Sequence, residues 1–378
     1  MSSVHENING PVNVIRVEGK IGKVNKVLYL FMDYHNNKNK QTKCDGRNNI
    51  DVNEYFINEF SKFQYNDKKL DVFLEIAPSD ITNRTKSADN MIYIESVNNI
   101  MKNQYVANKY NSNKFKNIRF HYVDNRDNLE LFSDYDRETY YKTISNINKL
   151  NMVYDSHIDL LYKLFTNSKQ NYLNMMDSIR NPKKINKINL MNNNKTTEET
   201  IDSINYLLYK LVHSYSNTQV KSIIKTIVDN EVIPAFKYYQ IGIDHILAHI
   251  QKYKNSDRDR NISFMSSLNT YVGRLVHISI ILSSKILDVF LLRRFLDKDY
   301  ITNGISYTGG LHSINLVMIL VKHFNFKITN ISNMNETHTI KSLNKFFLTM
   351  KNPRDDYDYF SNNNEQCSNI KDFPSNFE

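Results

Sequence analysis

The chain has 378 residues, two cysteines, no tryptophan and a formal net charge of +9 with a sequence pI near 9.1. That length can bury a substantial core and hold two or three domains, while Cys44 and Cys367, each in a polar stretch, exclude a disulfide framework or a cysteine-based metal site and point to a reducing compartment. The positive balance favours anionic partners, but the lysines are scattered among asparagines with no Arg-rich stripe or zinc finger, so a generic basic surface is expected ahead of direct nucleic-acid binding.

Taken in chain order, residues 12–17 and 27–32 read as strands around a hairpin turn at 19–25. The second strand ends in Asp33-Tyr34-His35. Residues 51–63 predict a helix, with Asp51 as its cap and Val52, Tyr55, Phe56, Phe60 and Phe63 at helical spacing. A strand over 70–76 carries Glu75 among apolar neighbours and stops at Ala77-Pro78. A helix near 91–105 and a strand over 118–123 follow, the strand ending in Asp124-Asn125-Arg126-Asp127. Alternation at this spacing predicts crossover units: an α/β core with a mixed or mainly parallel sheet of about five or six strands, flanked by helices.

Residues 131–300 change character and predict a large all-helical insertion, with Leu160, Leu161 and Leu164, then Ile201, Ile204, Leu207, Leu208 and Leu211, then Ile223, Ile224 and Ile227 at helical periods. Residues 181–197, rich in Asn and Lys, read as a flexible loop, and Pro234 fits the first turn of a new helix. The most apolar stretch, 275–292, is broken by His277, Ser279, Ser283, Ser284, Lys285 and Asp288, so a buried helix is expected there and no membrane span. Residues 301–330 return to strand, Gly309-Gly310 turn, helix over 313–324 and strand. The polar residues 351–378 read as a mobile tail. The expected plan is thus one core from 1–130 and 301–350, the 131–300 insertion, and the 351–378 tail. Residues 1–7 carry no charged-then-apolar leader, so a cytoplasmic protein is expected.

Short apolar strands that end in Asp, His or Gly present reactive groups at the carboxyl edge of an open α/β sheet. His35, Glu75 and His312 are therefore expected to form one site from both ends of the chain. Asp33 and His35 point to one side of their strand, where they can share a metal or orient one another; an exposed polar strand end is the plainer alternative. Glu75 is costly to bury unpaired and calls for a cation, a metal or a hydrogen-bond donor, unless its strand lies at an edge. Gly309 and Gly310 at a strand-to-helix turn let backbone approach a ligand and offer amides to an anion or oxyanion. His245 and His249, four apart on a helix, can face one metal but lack the Glu of a zincin, so a packed helix face is preferred. Arg274 and His277 read as core-boundary residues, and Ser313 has no nucleophile elbow around it.

This order of strand ends resembles the TraB, Tiki, ChaN and erythromycin-esterase superfamily. There a Gly-Ser/Thr-x-His strand end precedes an apolar strand carrying a Glu, and a Gly-x-x-His turn comes near the carboxyl end. His35 matches the first His, Glu75 the Glu, and Gly309 with His312 the turn; Asp124 and Arg126 resemble a later Asp-Arg strand end. The resemblance covers residues 12–130 and 301–330 and departs at Met32-Asp33, where the superfamily has Gly-Ser/Thr. Its members range from metal-dependent peptidases to metal-free ester hydrolases and binding proteins, so the resemblance implies a hydrolase-like site for a small-molecule or peptide substrate without fixing the reaction. His35, Glu75, His312 and Arg126 would do the chemistry, and His35, Glu75, His312 and Asp33 would be ligands for a divalent Mn, Co or Zn. Asp33-x-His35 also resembles the opening motif of calcineurin-like phosphoesterases, whose other strand-end motifs are absent. The Asn- and Lys-rich style resembles uncharacterised proteins of large DNA viruses of amoebae and algae. That gives the alternative reading: a non-catalytic structural or interaction protein, such as a virion component, on an enzyme-like fold.

Overall fold

The computed structural model describes residues 6–38, 44, 49–63, 65, 67–77, 92–102, 105–106, 109–110, 115, 117–124, 134–150, 152–180, 209–255, 262–334, 338–351 and 365–377. The expected loop at 181–197 and Arg126 lie outside the described residues. In chain order the elements are β1 (Asn7–Asn9), β2 (Asn13–Ile21), β3 (Val24–Asp33), β4 (Asn49–Asp51), α1 (Val52–Phe63), β5 (Leu70–Leu74), α2 (Tyr93–Lys102), β6 (Tyr105–Val106), β7 (Lys109–Tyr110) and β8 (Ile118–Tyr122). Then come α3 (Asp134–Leu150), α4 (Asp155–Arg180), α5 (Thr218–Ile227), α6 (Ile233–Lys254) and α7 (Ile262–Asp297), followed by β9 (Asn303–Gly309), α8 (Gly310–Phe324), β10 (Lys327–Ile331), α9 (Ile340–Thr349) and β11 (Cys367–Asn369). The chain divides into two units, Met1–Asp124 with Phe290–Glu378, and Asn125–Val289.

The first unit is the α/β core. Its six-stranded mixed sheet has the order β10-β2-β3-β9-β5-β8. β10, β2 and β3 run antiparallel, whereas β3, β9, β5 and β8 are all parallel. The sequence places the hairpin turn too widely. β2 and β3 stay paired to Ile21↔Val24, and the turn is only Gly22-Lys23, with Gly22 at φ 58°. Gly19 lies within the strand instead: a Cβ there would come within 2.3 Å of the Phe326 ring.

One face of the sheet carries Tyr29, Phe31, Val72, Leu74, Ile305 and Tyr307 against Val52, Phe56, Phe60 and Phe63 of α1. The rings interlock, with Phe56 stacked on Phe60 at 5.2 Å and set edge-on to Phe31 at 5.0 Å. Each such buried aromatic contributes about 1.5–3 kcal/mol by leaving water. On the opposite face α8 packs against β2, β3 and β9, buried along nearly its whole length. At the amino edge the Lys26 ammonium donates to the carbonyls of Phe295, Lys298 and Ile301 at 3.0, 2.8 and 2.5 Å, tying the end of α7 and the chain after it to β3.

Two expectations fail at the carboxyl terminus. Residues 365–377 do not form a mobile tail: β11 pairs with β1, and Phe377 is buried 5.2 Å from the Tyr29 ring and also near Phe60. Residues 352–364 lie outside the description. Cys44 and Cys367 form a disulfide with Cα atoms 5.0 Å apart, because β1 brings both segments together: Asn9 opposes Cys367 in register and its side chain accepts the Cys44 amide. This overturns the expected absence of a disulfide, and with it the argument for a reducing compartment.

The described elements of the second unit are helices. Pro234 sits at the start of α6, but no break precedes it: a π turn at Val228–Val232 joins α5 to α6. Proline lacks the amide donor the ladder needs, and a π turn takes up that mismatch. Among the described residues, the one helix long and apolar enough to cross a membrane is Phe264–Asp297, and half of its most apolar window is buried in protein.

Candidate functional site

β9 lies between β3 and β5, so three parallel strands deliver their carboxyl ends side by side. Asp33 pairs with Gly309, and Leu74 with Tyr307, which sets Glu75 one residue past the end of β5. The Glu75 amide donates to the Tyr307 carbonyl at 3.2 Å. β9 runs straight into α8, placing His312 in the first turn of a helix that starts at Gly310, three residues earlier than the sequence predicts.

His35, Glu75 and His312 meet here. The Glu75 side chain is 2% exposed and lies between the two imidazoles: His35 Nε2 is 3.7 Å from Oε2, and His312 Nε2 is 3.4 Å from Oε1. The Gly309 amide donates to Oε2 at 2.7 Å, so the carboxylate caps the start of α8, where the helix dipole favours negative charge. That bond corrects one expectation, for this amide is directed at Glu75 and not at an incoming oxyanion. Gly310 is the first residue of the helix.

On its other side His35 Nδ1 lies 2.9 Å from Asp33 Oδ2. Among the described residues neither Asp33 oxygen has an aligned hydrogen bond, so the attraction is one of charge more than of a directed bond. Asp33, His35, Glu75 and His312 thus form an alternating row of acids and bases. Its outer surface is His35, whose side chain is 41% exposed. His35 holds φ 57°, a left-handed conformation that is strained for a residue with a side chain. A Cβ on Gly309 would come 2.7 Å from His35 Nε2, so only glycine lets the imidazole lie across the end of β9.

The charges are mutually set. Burial alone would lower the His35 pKa, but the Asp33 and Glu75 carboxylates outweigh it and raise it to about 10, making an imidazolium at neutral pH. Burial alone would raise Glu75; His312, and then His35, hold it well below the usual carboxylate range. The result is a buried carboxylate fixed in its charged form between two imidazoles.

Of the other predicted residues, Asp124 lies just beyond the carboxyl end of β8 and is buried, while Arg126 is outside the described residues. His245 and His249 do not form a metal pair: His245 is exposed, and His249 stacks on Phe264 at 4.8 Å. Arg274 and His277 are exposed, and Ser313 is buried with its hydroxyl 2.9 Å from that of Thr308. Among the described residues no group of three or more His, Cys, Asp or Glu side chains gathers closely enough to hold a metal ion. Sequence reasoning missed a second polar cluster at the opposite edge. Buried Asp71 accepts a forked pair from Arg119 at 2.8 and 2.5 Å and lies 2.6 Å from His121. An aspartate inside an apolar strand was its only signal.

A model of a family of unknown function, DUF5847, matches residues 6–281 and 261–378. Similar chains come from Acanthamoeba polyphaga mimivirus. The uncharacterized protein R161 is 32% identical over 98% of both chains, R706 is 31% identical over 86% of both, and R160 is 30% identical over 98% of this chain and 97% of its own. No solved structure matches.

Proposed function

The chain belongs to the DUF5847 family, and for it we propose a hydrolase-type site at the carboxyl edge of the sheet, in which acid–base chemistry is divided between two histidines. The carrying observation is the unequal setting of the two imidazoles. His35 faces two carboxylates and the solvent, whereas His312 faces Glu75 alone among the acids of this row. Two imidazoles in such different settings can divide the acid and base roles. With its proton released to solvent, His312 takes one from water, and Glu75 orients the ring and steadies the imidazolium that re-forms. His35, already protonated, supplies positive charge to the developing oxyanion, the role the Gly309 amide cannot fill while it holds Glu75, and gives its proton to the leaving oxygen or nitrogen as the scissile bond breaks; both histidines then re-equilibrate with solvent. The contacts of 3.4 and 3.7 Å are longer than good hydrogen bonds, as is common before substrate tightens a site.

The resemblance to the TraB, Tiki, ChaN and erythromycin-esterase superfamily supports an ester or peptide substrate through His35, Glu75 and the Gly309–His312 turn. A divalent metal is less well supported. The two imidazoles address opposite oxygens of one carboxylate, and one of those oxygens is already held by an amide. No step is therefore routed through a metal. The self-contained contacts of the row also favour the second reading, a viral structural or interaction protein in which the cluster only ties three strand ends together.

The test is hydrolysis of a panel of activated esters and short peptides by the full chain and by His312→Ala, His35→Ala and Glu75→Gln, with metal content measured alongside. Turnover lost in His312→Ala while the fold persists supports the hydrolase. Equal metal content in the wild type and His312→Ala excludes a metal here, whereas stoichiometric metal lost with His312 replaces the metal-free mechanism. No turnover on any substrate by wild type favours the second reading.

A further inference from the structure

The Cys44–Cys367 bond joins residues 323 apart in sequence, and what it holds on each side is slight. β11, β1 and β4 are three residues each, too short to form a sheet that stands by itself. On the Cys367 side, Asn333 donates to the Cys367 carbonyl at 2.7 Å and the Ser368 hydroxyl to the Pro11 carbonyl at 2.9 Å. From there the chain delivers Phe373 and Phe377 onto the Tyr29 ring. On the Cys44 side, the amide donates to Asn9 at 2.7 Å and the carbonyl accepts from Asn49 at 2.6 Å.

Upstream of Cys44, on the same run of chain, stands His35 with its left-handed backbone. Such strain persists only where both flanks are fixed. β3 fixes one flank. The other is held by the bridge of Asn37 to Ile92 and by Lys38 at 3.2 Å from Asp51. The disulfide itself acts where β1 and β11 meet, on the carboxyl-terminal segment.

We propose that the Cys44–Cys367 disulfide is a redox latch, which when closed holds the carboxyl-terminal segment against β1, and when opened by a dithiol reductant releases it. The reductant's thiolate attacks the sulfur of Cys367, the less buried of the two. The protein S–S bond breaks, a mixed disulfide forms, and the Cys44 thiolate leaves and takes up a proton. The reductant's second thiolate then displaces Cys367, which is protonated in turn. Two electrons and two protons have passed to the protein, and the reductant leaves as its own disulfide. This does not rest on the hydrolase reading.

Full-length protein is purified without reductant, its thiols are counted by alkylation under denaturing conditions, and hydrogen exchange is followed by mass spectrometry with and without dithiothreitol. The expected results are no free thiols before reduction, and exchange faster by about tenfold or more at residues 6–9 and 365–377 after it. Cys44→Ser/Cys367→Ser shows the fast pattern in both conditions; if it fails to fold, reduced wild type carries the test. Two free thiols in protein purified without reductant, or exchange unchanged by reduction, overturns the latch. None of these readouts uses turnover, so an inert hydrolase panel leaves the latch standing, and a failed latch leaves the hydrolase reading standing.

Discussion

Replacing Gly309 by Ala tests the geometry of the row with a single methyl group. The new Cβ would lie 2.7 Å from His35 Nε2, where ordinary contact begins at 3.4 Å. The backbone at Gly309 has φ −55°, which alanine adopts freely, so the strain falls on the imidazole. A ring displaced by roughly 0.7 Å takes Nε2 away from a carboxylate oxygen now at 3.7 Å. With an effective dielectric constant near 20, that weakens the attraction by about 0.5–1 kcal/mol. The His35 midpoint, about 10 in the native protein, should then fall by roughly 0.4 to 0.7 pH unit. The stability effect has a definite sign. The His35 pKa is raised above its ordinary 6.5, so its contribution is complete below pH 6.5 and is lost as pH rises through about 10. Unscreened, that difference would be worth roughly 5 kcal/mol. With 41% of the side chain facing water, about 1–2 kcal/mol is the realistic figure. Heteronuclear NMR titration of the histidine rings measures the midpoint, and urea melts at neutral and alkaline pH measure the stability. A His35 midpoint near 6.5 in the native protein, or one unmoved by Gly309→Ala, would refute the reasoning.

Glu75→Gln removes the charge that both imidazoles share and should cost about 3 kcal/mol at neutral pH. The folded-state pKa of Glu75 is depressed, so its contribution is present above the ordinary 4.5 and is lost as pH falls toward the depressed value. The gap between wild type and variant in urea melts should therefore narrow in acid, and a gap that stays constant would show that Glu75 gains nothing from its charge. Asp71→Asn strips Arg119 and His121 of a buried partner at the far edge of the sheet and should cost a similar roughly 3 kcal/mol. It should leave the His35 titration unchanged, and a shift there would mean that the two edges are coupled.

Much of the core was legible because its signals are local. Tyr55, Phe56, Phe60 and Phe63 recur at the spacing of a helix, and the runs around Leu30, Phe73 and Ile305 can only be buried strands. The convergence of His35, Glu75 and His312 also followed from sequence, because parallel strands joined by crossovers must end on one edge. The hairpin was misread because Gly19 looks like a turn residue, whereas its hydrogen side chain makes room for Phe326.

The sequence by itself determined which residues are strand ends and which helices follow them, since apolar period and turn chemistry act over a few residues. Only the tertiary structure decided what those ends do to one another. That Gly309 spends its amide on Glu75, that Asp33 and Glu75 hold His35 charged, and that Cys44 finds Cys367 are all contacts between residues remote in the chain. No local pattern encodes them, because each depends on strand order: β9 entering between β3 and β5, and β1 entering between β4 and β11. The carboxyl terminus shows the same limit. Its composition is that of a polar tail, yet Phe373 and Phe377 find an aromatic surface built by β3 and α1, and burying the Phe377 ring with Phe373 half-covered beside it outweighs the polarity of the chain that carries them.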